Sequence, residues 1–382
     1  MKRISFIILL IFSILQLSAQ DLEDGYYRVS NVGSGRYVYV KDNTGKVVYQ
    51  AATAEMGALE LWKDHAKTYS DPASVIYIEN KGTNKYGKIY DLRGQGTGVY
   101  SIIRRYVNIY YSKGIYQVYA EGKYLSDDNT GASDKGRMGT NRAGDYRKWN
   151  VTKMDISKEY FGIKPSIKND GRYFQPFFAD FGFSLVGTGM KVWLVKEVNE
   201  YAVVITPFTG EVVPARTPVI IECANEMAAN NKLNLVYDYS KLGQTNKLAG
   251  VYFNNANRPE SADARKEFDK NTMRVLGVMS NGRLGYVLSK VAADEETGLQ
   301  YLEANKSYLP VESGFPEEIP VMTEAEYEEW KEITSVRSQN AANRSVTVVM
   351  LSGRSLGQMN AEEISSLPAG IYIIGGKKMV IR

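Results

Sequence analysis

The sequence predicts a mainly all-β protein with few helices, and three observations carry that reading. Tyrosine occurs 28 times and glycine 34 times, a pairing that suits pleated, half-buried strands joined by tight turns. The stretch SGRYVYVKDNTG at 34–45 returns as AEGKYLSDDNTG at 120–131, and internal repetition is a mark of architectures built from like units. Short runs of alternating apolar and polar residues, broken by Gly, Asn and Ser, then continue to about residue 320.

The chain of 382 residues is long enough for two or three domains. Residues 1–20, MKRISFIILLIFSILQLSAQ, read as a cleaved secretory signal. Lys2 and Arg3 open it, an apolar run from Ile4 to Leu17 follows, and Ser18-Ala19-Gln20 makes a small polar end. That run is too short to span a bilayer comfortably, so no transmembrane span is expected. Removing Lys2 and Arg3 from the 47 basic residues leaves 45 against 43 acidic ones. A balance near neutrality gives no case for nucleic acid or an anionic membrane surface.

Cys223 and His65 are the sole cysteine and histidine. No intramolecular disulfide can form, and Cys223, within TPVIIECA, reads as a buried, inert thiol. A nucleophilic triad would rest on His65 alone, and no GxSxG elbow is present. No catalytic residue, metal site or cofactor is therefore expected, although a carboxylate pair working on glycosides stays open.

Between the two matching stretches lies a weaker copy, GKIYDLRGQGTG at 87–98. With Gly35, Gly87 and Gly122 as anchors, the copies are 52 and 35 residues apart. The longer gap holds ATAEMGALELWKDHAKTYSD, in which Leu59, Trp62, Ala66 and Tyr69 fall at helical spacing. An amphipathic helix over about 54–70, closed by Pro72, is expected there. The three β units are too small to bury a core singly, but packed around a three-fold axis they can.

Three such units ending in GDYRKWNV resemble the ricin-type β-trefoil lectins over about 25–155. Units of that family typically end in glutamine–any–tryptophan; here Arg147-Lys148-Trp149 approaches the signature once, with arginine in place of glutamine. The resemblance implies a trefoil-like, lectin-like domain over 21–155. The overall layout is similar to secreted and surface-associated proteins of Bacteroides- and Prevotella-like bacteria, in which a trefoil-like module precedes a β-sandwich and a β tail.

Residues 156–330 contain candidate strands such as MKVWLVKEV, YAVVITPF and KLNLVYDY, with Asn281-Gly282 as a hairpin signal. They predict an antiparallel β-sandwich with one face of each sheet wet, ending in a short helix, TEAEYEEWKEI. Thr323 and Glu326 form its capping box. VPARTPVIIE and LEANKSYLPVE echo one another as edge or cap segments. Residues 331–345 read as a linker, and 346–382 as a short terminal β-hairpin tail. That tail resembles the C-terminal sorting domains of Bacteroidetes on Leu367, Pro368, Gly370, Tyr372, Lys377 and Lys378, which implies outer-membrane secretion machinery as a partner. Alternatively the two strands complete the preceding domain.

In the repeated Asp-Asn-Thr-Gly, Asp and Asn turn the chain on their own side chains and Gly takes a positive φ. The same residues beside an aromatic ring could also hold a sugar, a carboxylate or amide taking hydroxyl pairs and a Tyr plane taking the C–H face. This nominates Tyr37 with Asp42 and Asn43, and Tyr124 with Asp127, Asp128 and Asn129. The Asp127-Asp128-Asn129 run lacks the spaced ligands of a calcium loop. A further surface is formed by Tyr106, Tyr110 and Tyr111, with Tyr111 facing opposite to the other two. The expected function is a secreted or surface-displayed, non-catalytic protein recognising glycans or glycoproteins. Alternatives are a structural or adhesive protein binding other proteins, a proteinase inhibitor, or a carboxylate-pair glycoside hydrolase.

Overall fold

A computed structural model describes residues 21–40, 59–63, 68–94, 100–101, 106–120, 122–129, 134–251, 266–295, 297–342, 345–360, 363–364 and 366–381. The expected signal, 1–20, and His65 lie outside these residues. The chain divides into two compact units, Met1–Val321 and Met322–Arg382.

Among the described residues, twelve strands build the first part of the larger unit. In chain order they are β1 (Gly25–Asn31), β2 (Tyr37–Val40), β3 (Leu59–Trp62) and β4 (Ile76–Asn84). Next come β5 (Gly87–Gly94), β6 (Tyr100–Ser101), β7 (Val107–Ser112) and β8 (Ile115–Ala120). The last are β9 (Lys123–Tyr124), β10 (Ser126–Asp127), β11 (Lys135–Gly139) and β12 (Trp149–Lys153). Six of them close a ring: β1 pairs with β12, β12 with β8, β8 with β7, β7 with β5, β5 with β4, and β4 with β1. The ring divides into three pairs, β1/β4, β5/β7 and β8/β12, which is the β-trefoil plan expected from the repeat. Alternation fills it. Tyr27, Val29, Ile76, Ile78, Tyr90, Val107, Ile109, Tyr116 and Val118 point inward around Trp149, whose indole N–H donates to the Leu125 carbonyl at 3.2 Å.

Two expectations need correction. Leu59–Trp62 is a strand and not part of a helix; it pairs with β2 on one side and β11 on the other. LELW satisfies helical spacing and strand alternation alike, and two flanking ladders decide between them. The middle copy also differs in place from the other two. By ring position β5 corresponds to β1 and β8, so GKIY begins a barrel strand, and Gly87 lies in the hairpin joining the first two units.

The following segment is a sandwich with an unexpected interior. A three-stranded sheet (Phe161–Gly162, Lys232–Val236, Gly182–Leu185) packs on a ten-stranded sheet through Phe161, Phe183 and Leu233 against Phe177, Leu194 and Ile221. Contrary to the expectation of one wet face per sheet, the central strand Lys191–Val198 is buried on both. Val192 and Leu194 enter that core, while Trp193 and Val195 enter a second one with Leu276, Tyr286 and Leu309. Its unbroken apolar run, VWLV, is what two-sided burial requires. The first core also takes in Tyr26, Val75 and Tyr77 from the trefoil, so sandwich and barrel are continuous at residue 155. Cys223 sits in the same core, and burial pushes its thiol up to about 12.

Asn281-Gly282 makes the expected hairpin between Met273–Val278 and Leu284–Val287. The echoing segments share a device: Arg216 and Asn305 adopt φ of 63° and 58°, each shortly before a strand.

In the smaller unit, helix α1 runs Glu324–Ala342 and takes in most of the segment read as a linker. Thr323 and Glu326 cap it reciprocally, the Thr323 amide donating to the Glu326 carboxylate at 2.6 Å. The tail is a four-stranded antiparallel sheet instead of a hairpin, in the order Ser355–Met359, Val346–Met350, Gly370–Ile374, Lys377–Ile381, around Val348, Tyr372 and Ile374. No described helix is long and apolar enough to cross a membrane.

Trp149→Ala should destabilise the larger unit by about 3–5 kcal/mol, because it opens a cavity at the barrel centre. Urea denaturation followed by the remaining tryptophans measures this.

Candidate functional site

The repeated turn is structural in its third copy. Asp127 is fully buried and pairs with Arg36 of the first copy at 2.6 Å, Arg36 being equally buried. Its other oxygen accepts the Asn129 amide at 3.1 Å, and the Asn129 carbonyl takes a long bond from Arg36 at 3.4 Å. β11 crosses directly over the pair at Gly136, where a Cβ would lie 2.8 Å from Arg36 Cδ and from Asp127 Oδ1. Asp128 accepts from the Ser126 hydroxyl at 2.5 Å, the Asn141 amide N–H at 3.0 Å and the Asn141 side chain at 2.8 Å. Burial works against its charge, but these donors outweigh it and hold its carboxyl below the usual range.

Tyr37 is buried too, its hydroxyl donating to Glu159 at 3.2 Å. Glu159 also meets the buried Arg28 at 3.4 Å, and burial lowers that guanidinium to about 10. Asp42 and Asn43 lie outside the described residues. The expectation of open sugar sites at Tyr37 with Asp42 and Asn43, and at Tyr124 with Asp127, Asp128 and Asn129, is therefore corrected at Tyr37, Asp127 and Asp128, which are engaged in internal bonds. Each carboxylate is spent on holding the hairpins of the trefoil together.

Tyr124 is placed differently. The hairpin β7–β8 sets Asn108 opposite Tyr119 and Tyr110 opposite Gln117, and β9 sets Tyr124 opposite Tyr119. Alternation turns Tyr116 into the barrel, with Tyr111 against it, and leaves Tyr110, Tyr119 and Tyr124 on the outer face. Their ring centroids lie 5.1 Å apart for Tyr119–Tyr124 and 6.2 Å for Tyr110–Tyr119 and Tyr110–Tyr124. Tyr86, at the tip of the β4–β5 hairpin, extends the group to 6.4 Å from Tyr119 and is 54% exposed.

That tip is built to present Tyr86. The Asn84 side chain accepts the Tyr86 amide at 2.8 Å, and Asn108 ties Asn84 to the sheet at 3.1 Å while donating to the Lys88 carbonyl at 2.9 Å. Lys85 Nζ stands 4.9 Å from the Tyr86 ring centre. Burial, followed by the neighbouring tyrosines, raises the Tyr110 hydroxyl above its ordinary value. The result is an aromatic face edged by amides and an ammonium group, chemistry suited to C–H faces and hydroxyls.

Of the nominated tyrosines, the structure brings Tyr110 and Tyr124 together. Tyr106 is exposed, at 55%, but stands apart from this cluster's ring contacts. Tyr86 and Tyr119 were missed. The alternation in IYQVYA signals Tyr119, but the approach of Tyr86 depends on two hairpins meeting.

No protein-family model matches the chain, and no curated protein matches it in sequence. Among solved structures it is similar to a designed three-fold symmetric protein, ThreeFoil (16% identity, 34% of this chain, 99% of that one, TM-score 0.23). It is also similar to a BEL β-trefoil (11%, 35% and 95%, TM-score 0.24). A third is the Rhizoctonia solani agglutinin (14%, 36% and 99%, TM-score 0.20).

Asp127→Ala leaves Arg36 buried without its carboxylate and should cost about 3–5 kcal/mol of stability. The double variant Arg36→Met, Asp127→Leu should recover most of that loss in urea melts. Asp128 has a lowered folded pKa, so the stability it contributes is present above the ordinary carboxylate value and lost as pH falls below it. Asp128→Asn should flatten the acid limb of the stability–pH curve while leaving its slope near neutrality unchanged.

Proposed function

We propose that this is an exported, surface-displayed, non-catalytic protein that binds saccharide chains along the tyrosine face of its trefoil. The carrying observation is the group Tyr86, Tyr110, Tyr119 and Tyr124, held on the outside of the barrel by strands whose other face fills the core. Sugar rings offer apolar C–H faces and rows of hydroxyls. A tyrosine face bordered by amides complements both without enclosing the ligand.

An open face of this kind binds weakly, at about millimolar Kd, and gains from a ligand that repeats. Polysaccharides and densely glycosylated proteins meet that condition. The secretory pattern of residues 1–20 supports export. The resemblance of 346–382 to sorting tails, with Lys377 and Lys378 on the last strand, supports display at the cell surface through outer-membrane machinery.

The test is retention of the mature chain, residues 21–382, on a glycan array and on insoluble polysaccharides, beside Tyr86→Ala and Tyr119→Ala. Each substitution should weaken binding roughly fivefold, equivalent to about 1 kcal/mol for one stacked ring, with unfolding midpoints held. Silence of the folded parent on every saccharide would overturn the reading and turn the search to protein ligands.

A further inference from the structure

A second concavity lies away from the tyrosine face, where the start of β1 and the end of β12 meet the three-stranded sheet. It has a volume of about 230 Å³, below the usual range for drug-sized ligands and sufficient for one sugar ring. Its wall is aromatic. Tyr77 and Tyr237 stack with centroids 4.7 Å apart, and Tyr26 meets Tyr77 edge-on at 5.1 Å. The Tyr26 hydroxyl is committed to the Val236 carbonyl at 3.2 Å, so that ring is fixed. Tyr237 is 53% exposed, although Tyr77, stacked on it, is buried.

The remaining lining mixes apolar residues, Met154, Phe161, Leu233 and Leu235, with polar groups of both senses. Asp24 accepts the Asn80 amide through Oδ1 at 2.7 Å, and no hydrogen bond among the described residues ends on its Oδ2. Asp155 likewise takes all its donors, the Ser157 amide and hydroxyl and the Lys158 amide, on Oδ1. Asn234 contributes an exposed amide. Lys153 completes the set, held at the rim by Glu23 at 2.6 Å.

Carboxylate acceptors, an amide, an ammonium donor and tyrosine rings in one small concavity match a neutral polyhydroxylated ring. A cation would meet Lys153, and an anion would meet two carboxylates. We propose that this pocket is a second saccharide site, taking a single pyranose at the end of a chain or branch. Its C–H face lies against the exposed ring of Tyr237, backed by Tyr77, and its vicinal hydroxyls reach Asp24 and Asn234. The proposal deepens the saccharide reading by adding end recognition to an open face, and the pocket variants test it separately.

The experiment is saturation-transfer NMR on the mature full chain with methyl glycosides of glucose, galactose, mannose and N-acetylglucosamine. Asp24→Asn, which keeps an acceptor for Asn80, Tyr237→Ala, and the face variant Tyr86→Ala, Tyr119→Ala run beside it. At least one glycoside should bind the parent. Both pocket variants should raise its Kd tenfold or more. Binding of no glycoside, or equal binding by the pocket variants, overturns the proposal. Polysaccharide retention by the same samples separates the two readings. If retention falls only in the face variant and no glycoside binds, the pocket fails alone; if a glycoside binds through the pocket and the face variant keeps full retention, the face reading fails alone.

Discussion

One end of the trefoil depends on a buried ion pair, Arg36 with Asp127. Two charges taken out of water must satisfy one another almost completely, because either alone would be several kcal/mol out of balance. The pair joins the first and third units, and the hairpins follow it: β2–β3 and β10–β11 merge into one ladder, with β3 beside β11. Gly136 follows as well, since nothing larger passes over the guanidinium and carboxylate. The repeated words in the sequence thus answer each other in space, the Gly-Arg-Tyr of one copy closing on the Asp-Asp-Asn of the other.

This explains which parts of the molecule were legible. All-β class, three units, the Asn281-Gly282 hairpin and the Thr323–Glu326 cap depend on residues close in sequence, where local preference and final structure agree. Leu59–Trp62 was not legible, since the strands on both sides of it come from distant parts of the chain. The fate of Asp127 was hidden for the same reason. A carboxylate beside a tyrosine reads as a ligand until an arginine 91 residues earlier is known to occupy it. The outer tyrosines fall between these cases: alternation assigns Tyr110, Tyr119 and Tyr124 to one face, while Tyr86 reaches them only through the fold.

The sandwich departs from its expectation in an instructive way. A strand that alternates is half-buried, but Lys191–Val198 does not alternate, and its VWLV run announces burial on both sides. Two cores result where one was expected. Because one of the two cores extends into Tyr26 and Tyr77, the barrel and the sheets support each other. The aromatic wall beside Asp24 is the exposed margin of that shared interior.

Ring closure has a consequence for how the chain is made. β1 finds its partners in β4 and β12, with Tyr27 opposite Lys153. During synthesis the edge of β1 that pairs with β12 therefore stays open until the last barrel strand has emerged, although β4 is made much earlier. Contacts so distant in sequence make closure slow and leave the growing chain open to mispairing. On the proposed reading of residues 1–20 as an export signal, such delay would be an advantage, because a chain that folds late is still threadable when it meets the export channel.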